Sequence, residues 1–153
     1  GFGICLVKNG RETGAPSEPY PWGTSVSIID FDQGADGLLH ITARGEQEFK
    51  VLTYTSSDTG LIVGEVELLP TNEPTAMQPE HELLANKLEL ILSYLDTDTR
   101  FDEQHLDDAD WVCHRLLEVL PLAPDAKFDL LQMSTNRERL QALSGLQIEI
   151  AER

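Results

Sequence analysis

The sequence is poor in the features from which secreted and membrane proteins are built. Only 2 of its 153 residues are cysteines, at positions 5 and 113. A disulfide-stabilised secreted domain would need more, so we interpret Cys5 and Cys113 as two buried thiols of a cytoplasmic protein. The longest apolar runs, such as Leu61 to Val63, fall far short of the ~20 residues that a membrane-spanning helix needs.

Basic residues are also scarce. The chain has 11 Lys and Arg against 27 Asp and Glu, a formal net charge of −16. Both halves are acidic: 4 basic and 11 acidic residues precede Pro74, and 7 basic and 16 acidic residues follow it. Nucleic acids and anionic membranes bind cationic surfaces, so we expect neither as a partner.

Motifs of zinc and calcium sites are incomplete. His81-Glu82 begins like the zinc-protease motif HExxH, but Ala85 occupies the position of the second histidine. We therefore interpret His81 and Glu82 as first-turn residues on a solvated helix face. The segment Asp96–Asp102 begins like a calcium loop, but arginine and phenylalanine stand at its fifth and sixth positions. We expect its Asp102 or Thr99 to cap the following helix.

Catalytic constellations are missing as well. Asp110 and His114 are four residues apart on a predicted helix and can touch, but no nucleophile lies nearby in the sequence. Cys113 falls on the apolar stripe of that helix and is expected in the core. The sequence therefore predicts a protein that is not an enzyme, with no catalytic residue, no metal and no cofactor.

The first half of the chain has the alternation and turn residues of a β unit. We predict a strand over Phe2–Val7 with a two-residue turn at Asn9-Gly10, a loop over Gly14–Gly23 and a strand over Thr24–Asp32. A turn over Gln33–Gly37 follows. From Gly37 to Pro70 the pattern predicts three consecutive strands joined by short turns, one of them at Arg44-Gly45-Glu46.

The second half has helical periodicity. We predict a β subdomain over residues 1–70, a proline-rich linker over 71–79 and a helical subdomain over 80–153. The first helix opens at Pro79, the second runs from about Asp102 to Leu120, and the third opens at Pro124. The fourth begins with a capping box at Thr135–Glu138 and is weakened by Gly145.

One loop has the composition of a binding surface. Tyr20 and Trp22 lie in the proline-rich segment Ser17–Gly23, where large aromatics can present apolar area at low entropic cost. We predict that this loop binds protein. The alternative is that Trp22 folds back and closes the end of the β unit.

Taken in order, these segments resemble the N-terminal substrate-recognition domain of Lon proteases. The β half contributes FGICLV, TSVSIIDFD, GLLHITARGEQEFKV and GLIVGEVELLP. In the helical half, the matching landmarks are Leu120-Pro121-Leu122, Lys127 before Leu130-Leu131, and Arg139-Leu140. The resemblance covers nearly the whole chain.

The resemblance implies an α+β fold, with a twisted β pseudo-barrel similar to PUA domains followed by a helical bundle. It also implies a stand-alone bacterial protein without the ATPase and protease modules of full Lon enzymes. The family's usual first strand and helix would precede Gly1, so we expect native sequence upstream of this chain.

The function implied by the resemblance is recognition of unfolded or partly folded polypeptide by a cytoplasmic, non-catalytic module. The expected partner is a polypeptide substrate or partner protein, with the chain as a monomer or weak homodimer. RNA binding through the PUA-like fold is an alternative that the −16 charge disfavours. A stand-alone peptidase using Ser134 and Lys127 is the remaining alternative, although nothing in the sequence would activate that serine.

Overall fold

The computed structural model describes residues 2–10, 17–71, 73–95 and 104–146. The chain divides into two compact units, Gly1–Thr71 and Asn72–Arg153. The first unit consists of β-strands and the second of helices, within the described ranges. This order of elements confirms the predicted α+β class.

The first unit is a four-stranded antiparallel sheet with the strand order β1-β2-β3-β4. Its strands are β1 (Phe2–Asn9), β2 (Glu18–Gln33), β3 (Leu39–Ser56) and β4 (Ile62–Leu68). β2 and β3 are long because their hairpin extends beyond the strands that flank it. In the described residues the sheet is open, with β1 and β4 as its two outer strands.

The prediction of three strands between Gly37 and Pro70 is wrong. β3 continues through Arg44-Gly45-Glu46, where a register shift leaves Gly45 opposite Val26 and Gln47 opposite Ser25. The extra residue makes a β-bulge, which accommodates glycine and polar residues without ending the strand. Two strands, β3 and β4, therefore cover this stretch.

The connection between β1 and β2 also differs from the prediction. Asn9 pairs with Glu18, so the strands are not joined by a two-residue turn at Asn9-Gly10. β2 begins at Glu18, inside the predicted proline-rich loop. Pro19 pairs with Val7 between two register shifts, where a missing backbone N–H disturbs the ladder least.

The core of the sheet unit is small and centres on Phe49. Its buried apolar residues are Tyr20, Val26 and Phe49. A Cβ added at Gly3 would lie 2.5 Å from the Phe49 ring, and one at Gly23 would lie 2.6 Å from it. The two glycines therefore let the ring of Phe49 lie directly on the backbones of β1 and β2.

The second unit packs its helices around one leucine-rich core. A single 3₁₀ turn (Pro79–His81) leads into α1 (Glu82–Tyr94), followed by α2 (Ala109–Val119), α3 (Pro124–Leu131) and α4 (Asn136–Ser144). Leu88, Val112, Leu116 and Leu143 are fully buried at its centre. No helix in the described ranges is both long and apolar enough to cross a membrane.

Local signals set most helix ends correctly. Pro79 and Pro124 occupy first-turn positions, and the Thr135–Glu138 capping box is complete in both directions. The predicted start of α2 near Asp102 is wrong: the helix begins at Ala109, and Asp108 caps it by accepting a hydrogen bond from Asp110 N. Thr99 and Asp102 lie outside the described residues. Gly145 follows the last residue of α4 as its C-cap.

A buried arginine ties α4 to the end of α3. Arg139 Nε donates to Leu130 O at 3.1 Å, and its Nη2 donates to Leu131 O at 2.9 Å and Met133 O at 3.2 Å. Its Nη1 donates to Asn136 Oδ1 at 3.0 Å. Leu130 O also accepts from Met133 N at 3.1 Å, so the guanidinium adds a second donor there and bonds the carbonyls of Leu131 and Met133 beyond it.

His81 was expected on a solvated face, and that expectation is wrong. Its side chain is buried, and its Nδ1 lies 3.5 Å from Ser144 Oγ at the end of α4. The side chain of His81 is covered because α4 lies beside it, and the sequence around His81 does not predict that contact. Glu82, the next residue, is exposed as expected.

Candidate binding surface

Tyr20 and Trp22 lie in β2 and not in a loop. Tyr20 is buried, whereas Trp22 is half-buried. Lys50 Nζ lies 5.3 Å from the centre of the Trp22 ring, close enough for a cation–π contact. The indole Nε1 is buried without a hydrogen-bond partner among the described residues. A role of these two aromatics in binding stays a prediction.

The exposed apolar side chains are concentrated in the sheet unit. Of the 18 large apolar residues that are exposed in the described ranges, 14 belong to this unit and 4 to the helical unit. Scattered apolar residues are normal on protein surfaces, but contiguous ones mark interaction sites. The question is therefore which of the 14 lie together on one face.

The hairpin formed by the far ends of β2 and β3 provides one such face. We call residues 27–44 the arm, since β1 pairs with β2 only as far as Val26 and β4 pairs with β3 only from Phe49 onward. Within the described residues, the two strands of the arm therefore pair only with each other. The turn at its tip is closed by a hydrogen bond from Gly34 N to Leu38 O, at 2.9 Å.

The pairing register places four large apolar residues on one side of the arm. Phe31 pairs with Ile41, and Ile28 pairs with Ala43. Leu39 lies two residues from Ile41 on the same strand, so it shares their side. We call Ile28, Phe31, Leu39 and Ile41 the apolar face. Their exposed fractions are 51%, 71%, 67% and 46%.

The other side of the arm is polar. Asp30 pairs with Thr42, and Asp32 pairs with His40. Asp36 at the tip lies 3.6 Å from His40 Nε2. The arm thus has one apolar and one acidic side, which is the pattern of a sheet that packs against something on one side only.

The outer edge of β2 in the arm is blocked by its own side chains. Because Gly34 and Leu38 form a hydrogen-bonded pair, the alternation of an antiparallel ladder directs the N–H groups of Phe31 and Gln33 away from β3. There, Phe31 N donates to Asp30 Oδ1 at 2.9 Å and Gln33 N donates to Asp32 Oδ1 at 2.8 Å. A further strand pairing at this edge would have to displace both carboxylates.

Exposed apolar residues also lie just before the proline-rich linker. Val66 and Leu68 are exposed near the end of β4, just before the linker. Met77 is partly buried against the core of the helical unit. The linker thus has exposed apolar residues on the β4 side, although fewer than the arm has.

No described group of three or more His, Cys, Asp and Glu side chains could hold a metal ion. The calcium-like segment Asp96–Asp102 lies outside the described residues. His114 Nδ1 lies 2.9 Å from Asp110 O and 3.4 Å from Asp110 Oδ2, so the predicted helical contact is present. Lys127, the lysine of the peptidase alternative, directs its Nζ toward the carbonyl oxygen of Glu118, 3.5 Å away.

The two cysteines are thiols that are not joined in a disulfide. Cys113 is buried in the helical core, as predicted. Cys5 is half-buried in β1, and burial raises the pKa of its thiol. At neutral pH such a thiol is mainly protonated and is a poor nucleophile.

Sequence reasoning missed the apolar face. Aromatic content drew attention to Tyr20 and Trp22, whereas the pattern from Gly37 to Pro70 predicted strands and nothing about their exposure. The usable signal was the pair Asp30 and Asp32, since charged residues at alternate positions are unfavourable inside a sheet and typical of an edge.

The sequence and the structure were compared with known protein families and solved structures. The ATP-dependent protease La (LON) substrate-binding domain family matches residues 1–146. A Lon N-terminal domain protein from Xanthomonas campestris is 37% identical with a TM-score of 0.74; the match covers 96% of this chain and 76% of that one. The N-terminal domain of Mycobacterium avium complex Lon protease has 17% identity, a TM-score of 0.53 and coverage of 92% and 74%, and shows likeness of fold alone. Among curated proteins, none matches the chain.

Proposed function

This chain belongs to the LON substrate-binding domain family, and on that premise we propose that it is a non-catalytic module that binds unfolded or partly folded polypeptide. The single observation that carries the proposal is the apolar face of the arm, where four large side chains are each about half or more exposed. Unfolded chains differ from folded ones chiefly in the apolar side chains they expose. A surface that selects them must itself present apolar area.

The size of the apolar face suits reversible recognition. A fully buried large apolar side chain contributes about 1.5–3 kcal/mol. Four partly exposed ones would contribute roughly 4–8 kcal/mol before the costs of association, so the apolar face alone supports binding weaker than micromolar. Such affinity allows a recognition module to release the chains it captures.

The charge and the thiols support the same proposal. A net charge of −16 keeps a protein with an exposed apolar face soluble and repels nucleic acid. The free, half-buried thiol of Cys5 fits a reducing compartment, so we expect the protein to act in the cytoplasm. We propose that the protein binds polypeptide and catalyses no reaction.

The test is a titration of the natural protein into a fluorescein-labelled reporter that has been reduced and alkylated so that it cannot refold. The same reporter with its disulfides intact is the control, and single-stranded RNA at physiological salt is the third arm. We expect saturable binding to the unfolded reporter alone. Equal binding to the folded reporter, or binding to RNA alone, would overturn the proposal.

Trp22 is a second candidate contact. We propose that Trp22→Ala weakens binding of the unfolded reporter and leaves the circular dichroism spectrum unchanged. Trp22 is tested without Tyr20, because truncating the buried tyrosine would disturb the core of the sheet unit. Loss of the fold in the Trp22 variant would instead assign the indole to packing.

A further inference from the structure

We propose that the outer edge of β4 binds an extended polypeptide segment as an additional β-strand, and that this segment alternates basic with apolar residues. The proposal goes beyond the proposed function, because it names a second surface and a different mode of recognition. The apolar face of the arm would contact apolar side chains, whereas the edge of β4 would bind backbone. Either surface can bind polypeptide without the other.

Every second residue of β4 directs its backbone groups away from β3. Ser57 N donates to Leu61 O at 2.8 Å, and Leu69 N donates to Glu48 O at 2.8 Å. Leu61 and Leu69 flank β4, and the ladder between them has no extra residue on the β4 side, so the odd-numbered residues of β4 bond to β3. The outward N–H and C=O groups belong to the even-numbered residues, which are Ile62, Gly64, Val66 and Leu68.

This edge is open, unlike the edge of β2 in the arm. Within the part of the chain that the structure describes, no hydrogen bond outside the β3–β4 ladder involves the even-numbered residues of β4. β4 also lacks the proline and the bulge with which proteins commonly protect an outer strand. A row of donors and acceptors at every second residue matches the backbone of an extended chain. A helix bonds its own backbone groups and cannot use such a row.

The side chains of β4 indicate which strand would fit. Glu65 and Glu67 are exposed on one side of the sheet, and neither carboxylate bonds to another described residue. Val66 and Leu68 are exposed on the other side. Residues directly opposite each other in neighbouring strands share a side of the sheet. Lysine or arginine opposite Glu65 and Glu67 would therefore form ion pairs, while apolar residues between them would pack beside Val66 and Leu68.

The same charges disfavour a second copy of this chain at the edge. Two copies of β4 paired antiparallel about Val66 would place Glu65 of each copy opposite Glu67 of the other, and directly opposed like charges are destabilising. The net charge of −16 adds repulsion between copies. Lys50 pairs with Glu67 in the ladder, but its Nζ lies over the Trp22 ring, 5.3 Å from the ring centre. The edge therefore favours a basic strand.

The probe is a fluorescein-labelled peptide of alternating lysine and valine, about eight residues long to match the seven residues of β4. It is titrated into the natural protein and followed by fluorescence anisotropy. Two further peptides are methylated on the backbone nitrogen, one at every lysine and the other at every valine. A bound strand directs only one of these two sets of N–H groups toward β4. One methylated peptide should therefore bind at least about tenfold more weakly, and the other within about threefold of the parent.

The charge is tested by exchanging it on both partners. A peptide with glutamate in place of lysine should bind at least about fivefold more weakly. The double variant Glu65→Lys with Glu67→Lys should reverse that preference. Glu82→Lys with Glu89→Lys is the matched control, because it makes the same change of net charge at two exposed positions of α1. The control should still prefer the lysine peptide.

A proline locates the site on β4. Val66→Pro removes one outward N–H and no bond of the β3–β4 ladder, which is the situation in which outer strands tolerate proline. It should weaken binding of the lysine peptide by at least about tenfold, whereas Val66→Thr, which keeps the N–H, should stay within about twofold. If the proline variant does not fold, the charge exchange decides the location.

The outcomes separate this proposal from the proposed function. An alternating peptide that does not bind, or that binds equally after methylation of either set, refutes strand pairing at β4, whatever the unfolded reporter does. Binding that survives both Val66→Pro and the charge exchange places the site elsewhere and also overturns the proposal. A dimer at assay concentration that Val66→Pro converts to a monomer would show that a second copy occupies the edge, which contradicts the proposal as well.

Discussion

Replacing Arg139 with methionine is expected to destabilise the helical unit by about 3–5 kcal/mol. Arg139 is a buried charged residue whose guanidinium makes four hydrogen bonds, three of them to backbone carbonyls at and after the end of α3. Methionine keeps much of the volume and removes every donor. The carbonyl of the buried Leu130 would then lose the guanidinium and keep the N–H of Met133, at 3.1 Å, as a donor.

The magnitude follows from those bonds. Hydrogen bonds to a charged group contribute about 1.5–3 kcal/mol each, so simple addition would give roughly 6–12 kcal/mol. Two corrections reduce that figure. Burying the guanidinium costs several kcal/mol, which methionine does not incur. Leu131 and Met133 are only partly buried, so water can reach their carbonyls once the arginine is gone.

The assay is urea unfolding of the Trp22→Phe background, in which Trp111 is the only tryptophan. Trp111 packs against the helical core, so its fluorescence reports that unit. Far-UV circular dichroism supplies an independent probe of the helices. The variant should lower the urea midpoint without changing the slope, since the surface exposed on unfolding is nearly the same.

Two variants decide whether the reasoning holds. Arg137→Met removes an exposed ion pair with Glu80, with an N–O distance of 3.2 Å, and should cost only about 0–0.5 kcal/mol. Arg139→Lys keeps the charge but not the planar fork, and should lose at least about half of the stability that methionine loses. A loss below about 1 kcal/mol for Arg139→Met, or full rescue by lysine, would refute the argument.

Three further predictions concern single positions. Gly23→Ala should destabilise the sheet unit by about 2–4 kcal/mol, because its new Cβ would lie 2.5 Å from Cys5 Sγ and 2.7 Å from a backbone carbonyl. Gly45→Ala, whose nearest neighbour would be at 3.2 Å, should cost clearly less. Both are measured by urea unfolding in a Trp111→Phe background, in which the fluorescence of Trp22 in β2 reports the sheet unit. Thr135→Ala should cost the helical unit about 1 kcal/mol, since it removes one half of the capping box. Cys5 should react with a disulfide reagent more slowly than free glutathione at neutral pH, because burial raises the pKa of its thiol. Its reaction should become faster as the pH rises. The buried Cys113 should react only after the protein unfolds.

Sequence reasoning succeeded where structure depends on a few adjacent residues. The Thr135–Glu138 capping box and the first-turn prolines at 79 and 124 place three helix starts correctly. Each of these signals acts through backbone groups within one turn, so its outcome does not depend on the rest of the fold. The burial of Cys113 followed in the same way from the stripe of α2.

Sequence reasoning failed where the local structure depends on contacts between segments that are distant in the sequence. Arg44-Gly45-Glu46 has turn composition, yet its pairing with β2 turns it into a bulge. The prolines at 19 and 21 are typical of a loop, yet Pro19 lies in β2 and pairs with Val7 of β1. His81 has the polarity of a surface residue, yet it is buried with α4 beside it.

The candidate site was missed for a related reason. Alternation along β2 and β3 shows that one side of each strand is apolar. Whether that side is exposed depends on whether another element packs against it, and alternation within a strand carries no information about that. The two aspartates of β2 add the missing information. Asp30 and Asp32 each accept from the N–H of the following residue, so the same side chains that make one face polar also close the edge. A strand protected in this way cannot easily extend the sheet, which is why the proposed binding surface of the arm is its apolar face and not its edge.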